Sequence, residues 1–227
     1  SITLTEEMNV IGVVTTLARN ELNQYFLEVF NGVMESAAEA GQNTTVFALN
    51  SWTEGAERIP GFCDGRIDGL ILFPISTHHE PLDLLADKGV PTVLIDRPLE
   101  EKRFDHVIVN NVQGMQRAVE LLTGDYGHTN ILFICRSLAA MVTQSRLEGM
   151  ETVKKRLKGK LTTQVIEYGD DEQGMRDKIT KMFLDPRPPT AIITSNSHLA
   201  AVVTGHVKNL GVSCPEQVSL LTFDDPE

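Results

Sequence analysis

The sequence predicts an α/β protein of the doubly wound parallel-sheet class, and three observations carry that prediction. Short apolar runs of strand length, such as Gly69 to Phe73 and Ile131 to Ile134, alternate with segments whose apolar residues recur at helical spacing. The runs are apolar at nearly every position, as in Val218, Leu220, Leu221 and Phe223, which is what a strand needs when helices cover both faces of its sheet. Glycine and proline mark the exits: Gly41 after the first helical segment, Gly89 and Pro91 after another, Gly211 and Pro215 before the last strand.

Taken in order, NVIGVVTT near the start is the first apolar run, and Phe26, Val29, Phe30, Val33, Met34 and Ala37 then repeat at three-and-four spacing as one helix stripe. Gly41 stops that helix before a strand from Thr44 to Leu49. Strands follow at Gly69 to Phe73, Thr92 to Ile95 and His106 to Val109, with a helix from Pro81 to Lys88. The second half predicts helices at Gln113 to Asp125, Arg146 to Leu157, Gln173 to Leu184 and Ser197 to Leu210. Its strands are Ile131 to Ile134, Thr163 to Ile166, Ala191 to Thr194 and Val218 to Phe223. No Pro/Gly/Ser-rich linker separates the halves, so periodicity alone permits one large sheet or two smaller ones.

Composition bounds the function. With 41% hydrophobic and 22% charged residues in 227, the chain has the make-up of a globular domain with a sizeable core. Its apolar runs fall far short of the roughly 18 residues of a membrane span, and no secretory signal is visible at its start. A net charge of -11 argues against a direct grip on nucleic acid, which needs clustered Lys and Arg. The one basic cluster, Lys154, Lys155, Arg156, Lys158 and Lys160, sits at a helix end, where cations favour the dipole. Cys63, Cys135 and Cys214 are far apart and odd in number, and they read as reduced thiols, with Cys135 packing as a small hydrophobe.

In open α/β sheets ligands bind outside the carboxyl ends of the strands, so polar residues just after apolar runs are the candidates. Ser76, Asp96, Arg97, Asn110, Asn196 and Asp224 occupy such places. Carboxylates supply acceptors, amides supply both donor and acceptor, and Arg supplies a planar fork, a set suited to hydroxyl-rich ligands. Catalytic signatures are missing: there is no G-x-S-x-G, no phosphate-loop G-x-x-x-x-G-K-[ST], no G-x-G-x-x-G and no H-E-x-x-H. His78, His79 and Glu80 read as a solvated turn, and Asp170, Asp171 and Glu172 lack further ligands at metal-loop spacing. No enzyme activity, cofactor or metal is expected.

The run LGVSCPEQVSLLTFDD from Leu210 to Asp225 resembles the effector-binding core of the lactose repressor/galactose repressor (LacI/GalR) family of transcription regulators. NQYFLEVFNGVMESAAEAG, RIDGLILFP, GVPTVLIDRP, NNVQGMQRAVELL, YGHTNILFI, SRLEGM and PPTAIITSNSHLA match in the same order. The resemblance implies two doubly wound parallel-sheet lobes, residues 1–110 and 111–227, crossing first at Asn110 to Gly114, with the effector held between them. It places Arg146, Asn196 and Asp224 in the effector cleft, with Tyr25 as an apolar contact and Phe26 in the helix core; Gln24 departs from the proline usual there. Asp171 stands where purine-responsive relatives carry an aromatic residue, so a sugar or sugar phosphate is the expected effector.

Each of the three cleft residues also has a plain structural reading: Arg146 pairs with a carboxylate, Asn196 caps the helix at Ser197, Asp224 holds a turn. The resemblance further implies a cytoplasmic homodimer with no membrane partner that reaches operator DNA through a helix-turn-helix upstream of Ser1. It also implies a chain truncated at its C-terminal end, its first lobe lacking a final strand and helix. A periplasmic sugar-binding protein of a transporter shares the fold and is the alternative; a flavodoxin-like or sugar-processing enzyme is the third reading.

Overall fold

The computed structural model describes residues 9–16, 24–49, 58, 61, 65–73, 80–96, 104–169 and 171–224. The chain divides into two compact units, residues 1–109 and 110–227. The first contains β1 (Val10–Thr16), α1 (Gln24–Glu39), β2 (Asn43–Leu49), β3 (Gly69–Leu72), α2 (Glu80–Lys88), β4 (Thr92–Ile95) and β5 (Asp105–Val107). Its five described strands are all parallel, in the order β2-β1-β3-β4-β5.

Alternation along these short strands sends successive side chains to opposite faces. Val14, Leu70, Leu72 and Leu94 pack with Leu82 and Leu85 of α2. Val13, Phe73 and Ile95 pack with Phe26, Val29, Phe30 and Val33 of α1. Phe26 lies 4.7 Å edge-on from Phe73 and 6.0 Å from Phe30, packing half-buried against the core. Gly41 ends α1 at a φ of 69°, a left-handed turn that a residue with a Cβ enters at a cost.

β5 is shorter than the sequence suggests, ending at Val107. Its partner β4 ends at Ile95, and Asp96 then turns at a φ of 63° while its N–H makes a final 2.8 Å bond to the Val107 carbonyl. Val107, Ile108 and Val109 are exposed.

The second unit contains α3 (Asn111–Glu120), β6 (Asn130–Cys135), α4 (Met141–Arg156), β7 (Thr162–Glu167), α5 (Glu172–Phe183), β8 (Ala191–Thr194), α6 (Ser197–Asn209) and β9 (Ser219–Thr222). Its four strands are again all parallel, in the order β7-β6-β8-β9. β6 shows why its sequence is continuously apolar. Ile131, Phe133 and Cys135 face Met115, Val119, Met150 and Val153, whereas Leu132 and Ile134 face Met175, Ile179, Leu199 and Val203.

Helix starts follow their caps. Asn110 accepts from the Gln113 N–H at 3.0 Å, so α3 begins two residues before the apolar pattern shows it. Its far end is a π-turn, Leu121–Asp125, and not a continued α-helix; the Tyr126 N–H reaches the Leu121 carbonyl. α4 begins at Met141, five residues before the predicted Arg146, behind an Ala140 that makes no side-chain cap bond. α3 and α4 pack closely: a Cβ at Gly149 would lie 2.3 Å from the Val112 carbonyl oxygen and 3.1 Å from Met115 Cβ.

At the amino ends of these strands His128 joins three connections, its Nδ1 lying 3.1 Å from Thr190 Oγ1 and its Nε2 2.9 Å from Ser219 Oγ. Partial burial lowers its pKa below the ordinary 6.5.

Gly149→Ala is expected to cost about 1 to 3 kcal/mol through overpacking against backbone, lowering the melting midpoint of the second unit by about 2 to 4 °C per kcal/mol. An unchanged calorimetric midpoint would show that the helix pair has slack. His128 predicts a pH effect. Its folded pKa lies below its unfolded one, so the unfolded chain takes up the proton first, and stability present above pH 6.5 is lost as the pH falls below it. Urea titrations from pH 8 to 5 should show a steeper fall for the native chain than for His128→Gln; parallel curves would refute the assignment.

Candidate functional site

Among the described residues of the second unit, Arg146 is the buried charged side chain, at 9% exposure, in the middle of α4. Its Nε donates to Asn111 Oδ1 at 2.8 Å and its Nη1 donates to the Ser195 carbonyl at 2.8 Å. The guanidinium carbon lies 3.7 Å above the centroid of the Phe223 ring, within cation–π range. Three elements thus converge on it: the first residue of α3, the residue after β8, and the residue after β9.

Each of those contacts adjoins a residue singled out in the sequence. Asn111 follows Asn110, Ser195 precedes Asn196, and Phe223 precedes Asp224. Asn110, Arg146, Asn196 and Asp224 therefore share the carboxyl edge of the second sheet, beside the switch point where the order turns from β6 to β8. Asn196 takes its structural role, accepting from the Leu199 N–H at 2.8 Å as cap of α6. Asn110 does the same for α3. Asp224 is exposed and sits at a φ of 66°, a turn conformation that short polar residues tolerate. Asp171 caps α5 by accepting from the Gly174 N–H at 2.8 Å.

In the first unit, Asp96 stands at the carboxyl end of β4, half-buried. Tyr25 lies in the first turn of α1, but its side chain is outside the described residues, as is Ser76. Arg97, His78, His79, Cys63 and Asp170 are also outside them. Among the described residues no three or more His, Cys, Asp or Glu gather as a metal site. Cys135, buried at the end of β6, has its thiol pushed up to about 11 by burial first and by Glu167 second, against a downward pull from Arg146. It is a neutral packing residue at physiological pH. No described helix is long and apolar enough to cross a membrane.

A concavity of about 430 Å³ runs along α4, lined by Met141, Gln144, Ser145, Leu147, Glu148 and Glu151. All six come from one helix, whereas the Arg146 edge brings polar groups from several, which is what orients a ligand. Sequence reasoning passed over Asn111, Ser195 and Phe223, the residues that hold Arg146. Asn111 stood in the quoted NNVQG element without a role assigned, and for the other two the only trace was adjacency to candidates, since a backbone carbonyl and a ring face leave no polar pattern.

A family model described as a periplasmic binding protein domain matches residues 13–227. The ribose operon repressor of Escherichia coli K12 is 26% identical over 228 residues, covering 97% of this chain and 67% of the repressor. The transcriptional repressor PurR of Vibrio cholerae is 26% identical over 227 residues, covering 96% and 66%. The chain spans 63% of the regulator EndR of Paenibacillus polymyxa. Among solved structures, a LacI transcriptional regulator from a Rhodococcus species superposes with a TM-score of 0.81 at 22% identity, covering 96% of this chain and 79% of that one, a likeness of fold. With residues 13–227 matched and both units built as parallel α/β sheets, the chain belongs to the periplasmic binding protein domain family.

Proposed function

We propose that this chain is the effector-sensing segment of a LacI-type transcriptional repressor, and that its effector is a sugar or sugar phosphate. The observation that carries the reading is Arg146, a buried guanidinium held at the carboxyl edge of a doubly wound sheet within reach of the strand ends that bear Asn196 and Asp224. An arginine fork flanked by amide and carboxylate groups recognises adjacent hydroxyls or a phosphate. Relatives named as repressors, among them a ribose operon repressor, match 96–97% of the chain, which supports a regulator over a transporter's binding protein. A sugar-binding transcriptional regulator of the LacI family from Escherichia coli, crystallised with phosphate, has the same fold at a TM-score of 0.78.

Arg146, Asp224, Asn196 and Asn110 are proposed to touch the effector from the second unit; from the first, Ser76 and Asp96 are proposed contacts on their places after apolar strands, and Tyr25 on the resemblance. In this reading the regulator is a cytoplasmic homodimer, and effector binding biases it between two arrangements that differ in their hold on operator DNA. Coupling of that kind is typically worth about 1 to 3 kcal/mol. DNA contact belongs to a helix-turn-helix in the whole regulator, consistent with a net charge of -11 in this chain.

The test is thermal unfolding of the purified chain against D-ribose, glucose 6-phosphate and hypoxanthine. A ligand at a hundred times its Kd stabilises by about 2.7 kcal/mol, or about 5 to 10 °C in a protein of this size. A saturable shift with either of the first two supports the reading, and a shift with hypoxanthine alone would overturn the sugar assignment. Arg146→Lys and Asp224→Ala should each remove the shift while keeping a cooperative transition, because charge-assisted bonds of about 1.5 to 3 kcal/mol are lost. Native affinity in both variants would displace the site from this edge.

A further inference from the structure

We propose that Asn111, Gly114 and Phe223 form a seat that fixes the direction of the Arg146 guanidinium, and that they are positioning residues for effector recognition; the second half of this rests on the function proposed above. An arginine side chain is long and samples many rotamers, so an unrestrained guanidinium presents no fixed geometry to a ligand. Here two in-plane bonds from different nitrogens, Nε to Asn111 Oδ1 and Nη1 to the Ser195 carbonyl, define both the plane and its rotation. The Phe223 ring beneath, 3.7 Å from the guanidinium carbon, closes one face.

Gly114 makes room for that ring. A Cβ there would lie 3.3 Å from Phe223 Cε1 and 3.9 Å from Cζ, a contact tight enough to make the ring give by a few tenths of an ångström. Asn111 and Gly114 are three residues apart on α3 and so share a face: one bonds the guanidinium edge and the other admits the ring under it. Phe223 is continuous with Asp224, and Ser195 with Asn196. Two proposed ligand residues and the seat therefore move as one body. Asn111 is also the second residue past the boundary between the two units, so a ligand drawing on Arg146 draws on the chain where it enters the second unit.

A merely structural role for Asn111 and Phe223 would show as lost stability; the seat shows as a local signature on Arg146. In nitrogen-15 spectra of the whole chain, the Arg146 Nε–H, identified by its loss in Arg146→Lys, should exchange slowly with water and carry an upfield ring-current displacement. Asn111→Ala should release it to fast exchange, and Asn111→Asp, which keeps an acceptor, should restore protection. Phe223→Leu should remove the ring-current displacement, and Phe223→Tyr should keep it. Calorimetric titration with D-ribose and glucose 6-phosphate should show affinity falling about tenfold or more in Asn111→Ala and Phe223→Leu. Affinity should be recovered in Asn111→Asp and Phe223→Tyr.

Should Asn111→Ala fail to fold, Phe223→Leu carries the same two readouts. An Nε–H equally protected in Asn111→Ala and in the native chain overturns the seat, and so does native affinity in both truncated variants. If the spectral signature behaves as described and neither sugar binds the native chain, the seat stands and the sugar reading falls.

Discussion

A guanidinium taken out of water must have its donors met by protein, and in the second unit that requirement centres on Arg146. Removing one partner of a buried charge typically costs about 3 to 5 kcal/mol, because the charge stays buried without compensation. Arg146 is at 9% exposure inside α4, whose own backbone groups there are engaged in the helix. Its partners therefore come from elsewhere: an amide at the start of α3, a carbonyl after β8 and an aromatic face after β9. Each of those groups has to be brought within a few ångströms, and much of the local sequence follows from that. Gly149 lets α4 approach the Val112 carbonyl of α3, and Gly114 lets the Phe223 ring lie against α3. The two glycines and the arginine are parts of one packing solution.

The parallel sheet supplies the other half of the arrangement. Because all four strands run the same way, every βα connection emerges at one edge and every αβ connection at the other. The carboxyl edge holds Arg146, Asn196 and Asp224. The amino edge holds His128 between Thr190 and Ser219, and Asn130, whose amide donates to the Arg187 and Pro188 carbonyls at 3.0 Å. Side-chain hydrogen bonds there tie connections to strands, while the polar groups proposed for ligand contact stand at the opposite edge. A core buried on both faces of β6, with Phe133 and Ile134 at 0% exposure, keeps those strand ends fixed.

Most of the architecture was legible because each element carried a local mark. The α1 stripe from Phe26 to Ala37, the apolar β6 and the exits at Gly41 and Gly211 all stand where the pattern put them. The departures have physical causes. α4 starts at Met141 behind Ala140, which has no side chain able to cap, so no signal preceded it. β5 stops at Val107 because its partner β4 ends, a tertiary fact that the apolar run through Val109 does not record. The π-turn at Leu121–Asp125 looked like continued helix because its side chains keep near-helical spacing. In the site, strand-end polarity pointed to Asn110, Asn196 and Asp224, but two partners of Arg146 left no polar mark: Ser195 contributes only backbone, and Phe223 read as one more core residue of its strand.

The capping roles of Asn110 and Asn196 are compatible with the ligand roles proposed for them. A cap bond from Oδ1, 3.0 Å to the Gln113 N–H in one case and 2.8 Å to the Leu199 N–H in the other, fixes the side-chain torsions of each residue. That fixation also sets where the amide group stands at the carboxyl edge. A recognition site loses affinity when its polar groups must be ordered on binding, at about 0.5 to 1.5 kcal/mol for each mobile side chain. An asparagine already locked by a helix terminus avoids that loss, as does an arginine held by an amide, a carbonyl and a ring. Structural use of a polar residue at this edge thus argues for its availability as a preorganised contact, and the helix that needs the cap supplies the rigidity that the ligand needs.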